Sequence, residues 1–153
     1  MQQAVTPRWL SAEQQRVWRT YLLASARLSE RLDADLRQFG IDLAEYEILV
    51  CLDEAPERRV RMSELAEAVH QSRSRLTHTV ARMEKGNLVS RRSCPTDGRG
   101  VWAELTPEGL QLLAEAAPSH VEGVRRNFVE AAGPADYAAI GRAFEAVLSA
   151  TSA

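Results

Sequence analysis

The segment from Met62 to Leu105 leaves the chain little freedom. "MSELAEAV" reads as a short helix from about Ser63, with Leu65 and Val69 on one face. Only His70 to Ser72 separate it from a second helical pattern, in which Leu76, Val80 and Met83 recur at i, i+4 and i+7. Ser72 suits the N-cap of that second helix, and Gly86 suits its C-terminal stop. Two helices joined by so tight a turn make a helix-turn-helix, and Ala66 is small enough to let them cross closely. Directly afterwards "LVSRR" and "VWAEL" flank "SCPTDGRG". Asp-Gly between two apolar-bearing runs signals a β-hairpin, because glycine accepts the positive φ such turns use. Arg99, between Gly98 and Gly100, is then placed near the hairpin tip.

The flanks read as helices. Ser11 and Gln14 are spaced as a capping box, followed by Val17, Trp18, Tyr21, Leu22, Leu28, Leu32 and Leu36 at helical intervals up to Gly40. Asp42 and Glu45 repeat the capping pattern and open a helix through Tyr46, Leu49 and Leu52, closed by Pro56. Thr106-Pro107-Glu108 starts another helix, in which Pro118 predicts a kink. Gly133-Pro134 stops it and begins a last helix through Tyr137, Ile140, Phe144, Val147 and Leu148. The fold expected is mainly α with a small β-wing, as one domain over 1–153. Residues 42–106 form the winged lobe, and 8–40 and 107–153 are helices apolar enough to serve dimerisation.

Few functional classes survive the composition. No apolar run approaches the roughly 20 residues needed to span a bilayer. "MQQAVTPRWLSAEQQ" lacks the apolar core of a signal peptide, so a cytoplasmic location is expected. Cys51 and Cys94 match no metal or redox spacing, and His70, His78 and His120 are scattered. No catalytic constellation, metal site or cofactor site is expected. The net charge of −2 hides a strong asymmetry. Residues 58–100 hold ten Lys/Arg and four Asp/Glu, or +6, leaving −8 for the remainder. Such a segment suggests an anionic partner.

The second helix of the motif sharpens this. Its first turns, "SRSRLTHT", alternate hydroxyls with arginines, and no acid appears before Glu84. Such side chains donate to phosphates and base edges. With that helix in a major groove, the hairpin lies over the adjacent minor groove, whose narrow, electronegative A·T-rich form admits an arginine. Asp97 is placed to orient Arg99. The alternative is a winged-helix module that binds protein rather than specific DNA.

"MSELAEAVHQSRSRLTHTVARMEKGNLVSRR", "PTDGRGVWAELTPEG" and "YEILVCL" together resemble the multiple-antibiotic-resistance regulator (MarR) family over nearly the whole chain. The resemblance implies a homodimeric winged-helix regulator of bacteria or archaea, most often a repressor, joined through its terminal helices. It places Arg73, Ser74, Thr77 and His78 on base edges, and Arg99 in the minor groove with Asp97 as its partner. Ser63, Ser72, Arg75, Arg82 and Arg91 would serve phosphates. It also implies a small aromatic or phenolic effector in a cleft between the dimer region and the DNA lobe. Trp18 and Tyr46 could line that cleft, and both read equally as core aromatics. The cysteine of the peroxide-sensing branch lies in the first helix, and "VWRTYLLASARL" has none. The clustered histidines and acids of zinc-sensing members are also missing from the sequence.

Overall fold

Ser11 opens the first helix of the computed structural model, which describes residues 7–96 and 98–152. The Ser11 hydroxyl accepts from the Gln14 N–H, and the Gln14 side chain accepts from the Ser11 N–H. The capping box therefore satisfies two otherwise orphaned donors. Helix α1 spans Ala12–Leu36, yet only Leu32 and Leu36 at its far end are buried. A 3₁₀ turn, Arg37–Phe39, ends at Gly40, whose φ of 74° is the left-handed stop that glycine adopts without a Cβ penalty. Helix α2, Leu43–Glu54, starts on the second capping box, Asp42 with Glu45.

Strand β1, Arg59–Arg61, leads straight into α3, Met62–Ala68, and then α4, Arg73–Lys85. Ser72 caps α4 by accepting from the Arg75 N–H. Strands β2, Val89–Ser93, and β3, Val101–Leu105, form the wing. The sheet order is β1-β3-β2, antiparallel throughout. Only the β2–β3 hairpin was expected; β1 adds a third strand, with Arg61 opposite Trp102 and Val60 opposite Ala103. Because facing residues share a face of the sheet, the Val60–Ala103 row turns to the core and the Arg61–Trp102–Arg92 row turns away.

Helix α5, Pro107–Val124, is capped by Thr106 and passes through Pro118 without interruption. The proline expected to kink the helix does not end it. Pro118 and Ala114, whose carbonyl loses its donor there, are both exposed, so water can replace that bond. The irregularity lies further on, in a π-helical turn over Arg125–Val129 before α6, Glu130–Ala132. Helix α7, Pro134–Thr151, follows Gly133.

One core unites the winged lobe with the adjoining helices. Ile48, Leu49 and Leu52 of α2, Leu65 of α3, and Leu76, Val80 and Met83 of α4 close over Val89 and Ala103 of the sheet. Leu36, Leu113 and Ala116 extend it to α1 and α5. The rest of α1 and all of α7 stand outside this core. Leu148 is 61% exposed and Trp18 52%. Among the described residues, no helix is long and apolar enough to cross a membrane. No group of three or more His, Cys, Asp or Glu among them could hold a metal ion.

Candidate nucleic-acid interface

Helix α4 divides its faces by chemistry. Leu76, Thr79, Val80 and Met83 are buried, while Arg73, Ser74, Arg75, Thr77 and His78 are exposed. Thr79 thus leaves the polar series of its sequence neighbours and donates to the Arg75 carbonyl inside the core face. Thr77 donates to the Arg73 carbonyl at 2.8 Å, which fixes its hydroxyl close to the helix backbone. No acid stands in the first turn of α4. The exposed face therefore presents cations and hydroxyls with no carboxylate from its own first turn among them, and Glu47 of α2 is near enough to Arg75 to feel its charge.

Between this face and the wing lies an open cleft of about 410 Å³. Arg73, Leu76 and Thr77 line it from α4, Arg99, Gly100 and Val101 from the wing, and Arg61, Met62 and Ser63 from the β1–α3 junction. Three arginines and two hydroxyl side chains converge there, and among the described residues no Asp or Glu lines the cleft. The Cys94 N–H donates to the Gly100 carbonyl at 2.7 Å and closes the base of the wing loop. A Cβ at Gly98 would meet nothing within 4 Å, so the tip is open to an incoming surface. Asp97, expected to orient Arg99, lies outside the described residues.

The remaining expected residues are distributed differently. Ser63 and Arg75 are exposed beside the cleft and on α4 respectively, and Ser72 is held as the α4 cap. Arg82, expected on phosphate, is engaged elsewhere. Its Nε donates to Glu45 Oε1 at 2.8 Å, and a terminal nitrogen donates to Asp42 Oδ2 at 2.9 Å. Glu45 is only 7% exposed, and its hydrogen bond holds the Arg82 guanidinium above its ordinary pKa. Arg82 thereby ties the C-terminal half of α4 to the start of α2. Arg91, also expected on phosphate, donates from two side-chain nitrogens to Glu84 Oε2, and those bonds hold the Glu84 carboxyl below its usual range.

Breaking the Arg82 bridge has a calculable consequence. Arg82→Ala leaves a buried carboxylate oxygen without its donor, a loss of about 1–3 kcal/mol. The expected result is a lower denaturant midpoint with an unchanged slope, partly restored in Arg82→Lys. Wild-type stability in the alanine variant would show that the bridge adds nothing to the seating of α4.

Trp18 and Tyr46 do not come together. Trp18 stacks on Tyr21 at 5.7 Å, and Tyr21 meets Phe144 of α7 at 5.8 Å. Tyr46 is buried against His120 at 4.3 Å and lines a separate cleft of about 270 Å³ between α2 and α5, with Val50, Leu110 and Leu113. Burial raises the Tyr46 phenol and lowers the His120 imidazole from their ordinary pKa values. Cys51 is half-buried and its thiol is pushed up by that burial, away from the reactive thiolate.

Sequence reasoning missed Arg61. Its terminal nitrogen lies 3.6 Å from Cys94 Sγ, and its guanidinium is 5.4 Å from the centre of the Trp102 ring, with Arg59 over the same ring at 5.1 Å. The alternating "RVR" of Arg59 to Arg61 was the available signal for a short strand.

A winged helix whose exposed α4 side chains and wing loop share one arginine-lined cleft agrees with what known proteins show. The MarR family model matches residues 41–101, which hold α2 to α4, β2 and the wing loop as far as the start of β3. Over nearly the whole chain, the structure superposes on Sco3205 of Streptomyces coelicolor, a MarR family transcriptional regulator solved in complex with DNA. The TM-score is 0.93 and the identity 41%, over 98% of this chain and 94% of that one. The chain belongs to the MarR family. AbsC, a second MarR family regulator of Streptomyces coelicolor, is 43% identical with a TM-score of 0.88, covering 94% of this chain and 97% of that one. The transcriptional repressor YetL of Bacillus subtilis is 28% identical over 58% of this chain and 55% of its own length. The transcriptional regulator MhqR of the same organism is 22% identical over 61% and 63% respectively. The match thus spans between about half and two-thirds of the length of these two curated relatives.

Proposed function

We propose that this MarR family chain is a sequence-specific double-stranded DNA-binding regulator. It acts as a homodimer on a near-palindromic operator, and represses until a small aromatic or phenolic effector releases it. The convergence of Arg61, Arg73 and Arg99 on one cleft between α4 and the wing carries the reading. Arg73, Ser74, Thr77 and His78 meet base edges in the major groove, and Arg99 enters the adjacent minor groove. Ser63, Ser72 and Arg75 serve phosphates, with Arg91 joining them by exchange from Glu84. Arg82 instead holds α4 in place. The exposed apolar faces of α1 and α7 form the dimer contact, so two copies of α4 face half-sites about 10 bp apart. The effector would enter the Tyr46 cleft, where the winged lobe meets α5, and bias the spacing of the two helices.

Selection of binding fragments from a random DNA pool tests this. The expected outcome is an inverted repeat bound with steep salt dependence. Enrichment of no motif would overturn the assignment. On the selected operator, Arg73→Ala and Thr77→Ala are expected to lose about 1–3 kcal/mol for each good base contact and to relax base preference at one position per half-site. Uniform losses over all sequences would show that another face of α4 reads DNA. Arg99→Ala is expected to weaken binding mainly where the flanks are A·T-rich. Equal loss with G·C-rich and A·T-rich flanks, measured by titration at moderate salt, would remove the wing from the minor groove.

A further inference from the structure

The reading of α4 and the wing as DNA elements has a geometric consequence for the space between them. A major groove and its neighbouring minor groove are separated by one sugar–phosphate strand. With α4 in the first and Arg99 in the second, that strand must run through the cleft they enclose. The β1–α3 junction, Arg61 to Ser63, forms the part of the cleft that belongs to neither α4 nor the wing loop.

Arg61 is held there by its surroundings. It stands directly opposite Trp102 across the β1–β3 pair, and its guanidinium is 5.4 Å from the ring centre. The Cys94 sulfur accepts from it at 3.6 Å. Sulfur is a weak acceptor, which a phosphate oxygen outcompetes for the same N–H. Arg59, which is paired with Glu57, crowds the same ring at 5.1 Å. A guanidinium placed in advance loses less conformational freedom when it binds, and its planar fork suits phosphate. We propose that the cleft seats the strand between the two grooves, with Arg61 as its phosphate ligand and Trp102 as the residue that positions Arg61. This rests on the DNA-binding reading above.

The test replaces one phosphate of the selected operator at a time by a neutral methylphosphonate and measures binding of the full-length parent. One linkage per half-site, between the bases read by α4 and the flank read by the wing, is expected to cost about tenfold, as for one charge-assisted hydrogen bond. Arg61→Ala should be indifferent to that linkage, keep its base preference, and show a salt slope shallower by about 1. Trp102→Leu should lose part of the linkage sensitivity while Arg61 is still present, and Trp102→Phe, which keeps a ring, should recover it. A parent with no sensitive linkage in that interval overturns the proposal, whether or not the variants fold. So does an Arg61→Ala protein as sensitive as the parent. A parent that prefers no duplex over random DNA refutes the DNA-binding reading itself. Selective binding without the sensitive linkage refutes the cleft assignment alone.

Discussion

Removing residues 134–153 is expected to leave a monomer or an aggregate that has lost operator specificity. Helix α7 contributes no buried residue to the protomer. Tyr137, Phe144, Val147 and Leu148 are all exposed. Phe144 meets Tyr21, which carries the Trp18 stack, so α7 and the exposed part of α1 form one continuous apolar surface. Contiguous patches of this kind mark interaction sites. A single lobe reads only a few base pairs, and for a dimer the two half-sites together supply the preference over random DNA, on the order of a thousandfold or more. Truncation should therefore erase that ratio while leaving weak, salt-sensitive binding. The double substitution Val147→Glu with Leu148→Glu should do the same without shortening the chain. Sedimentation of either protein checks the result. A variant that stays dimeric and discriminates normally would relocate the interface.

Gly109→Ala is expected to be among the most damaging single methyl additions in the chain. A Cβ there would overlap the Leu88 carbonyl oxygen and stand 2.9 Å from Leu105 Cδ1. The obstacle is backbone, so no rotamer change relieves it. The same carbonyl accepts from the Thr106 N–H at 3.2 Å, and Thr106 Oγ1 donates to the Asn87 carbonyl at 2.6 Å. The root of the wing is thus fastened to the first turn of α5. Overpacking at such a point costs about 1–3 kcal/mol, occasionally more. The thermal midpoint should drop by several degrees, and operator affinity should fall as the wing shifts relative to α4. A Gly109→Ala protein that melts with the parent would mean that the seam opens without cost.

What the sequence shows and what it hides divide along contact range. Ser11 with Gln14, Asp42 with Glu45, Ser72 and Thr106 are caps made within three residues, and each is found as its spacing predicts. The buried stripe of Leu76, Val80 and Met83 follows from helical period alone. Strand β1 was missed because three residues carry little period, and its partner β3 lies some forty positions later. The ion pairs of Arg82 were hidden for a similar reason. Its carboxylates are 37 and 40 residues away, and nothing local distinguishes it from the arginines that face outward. Thr79 resembles Thr77 in sequence, but two positions carry it round the helix to the buried side. Trp18 and Tyr46 shared only aromatic character; their separation follows from the packing of α1 on α7 at Tyr21 and of α2 on α5 at Tyr46, which no single helix encodes.

Arg61 shows how one such long-range contact changes the functional reading. As a residue in a basic run it reads as one cation among several. Opposite Trp102 and beside Cys94, it becomes a placed guanidinium at the cleft between the reading helix and the wing. The +6 segment is therefore more than an overall attraction. Part of it, Arg82 and Arg91, is paired with carboxylates of the same lobe, and part lines the cleft.

A hydroxyl-radical footprint of the full-length protein on its selected operator tests the central claim most directly. Two copies of α4 related by two-fold symmetry predict two equal sets of protections, centred about 10 bp apart, with further protection in the flanking minor grooves where Arg99 enters. A single unsymmetrical patch, or uniform protection along the duplex, would contradict the account.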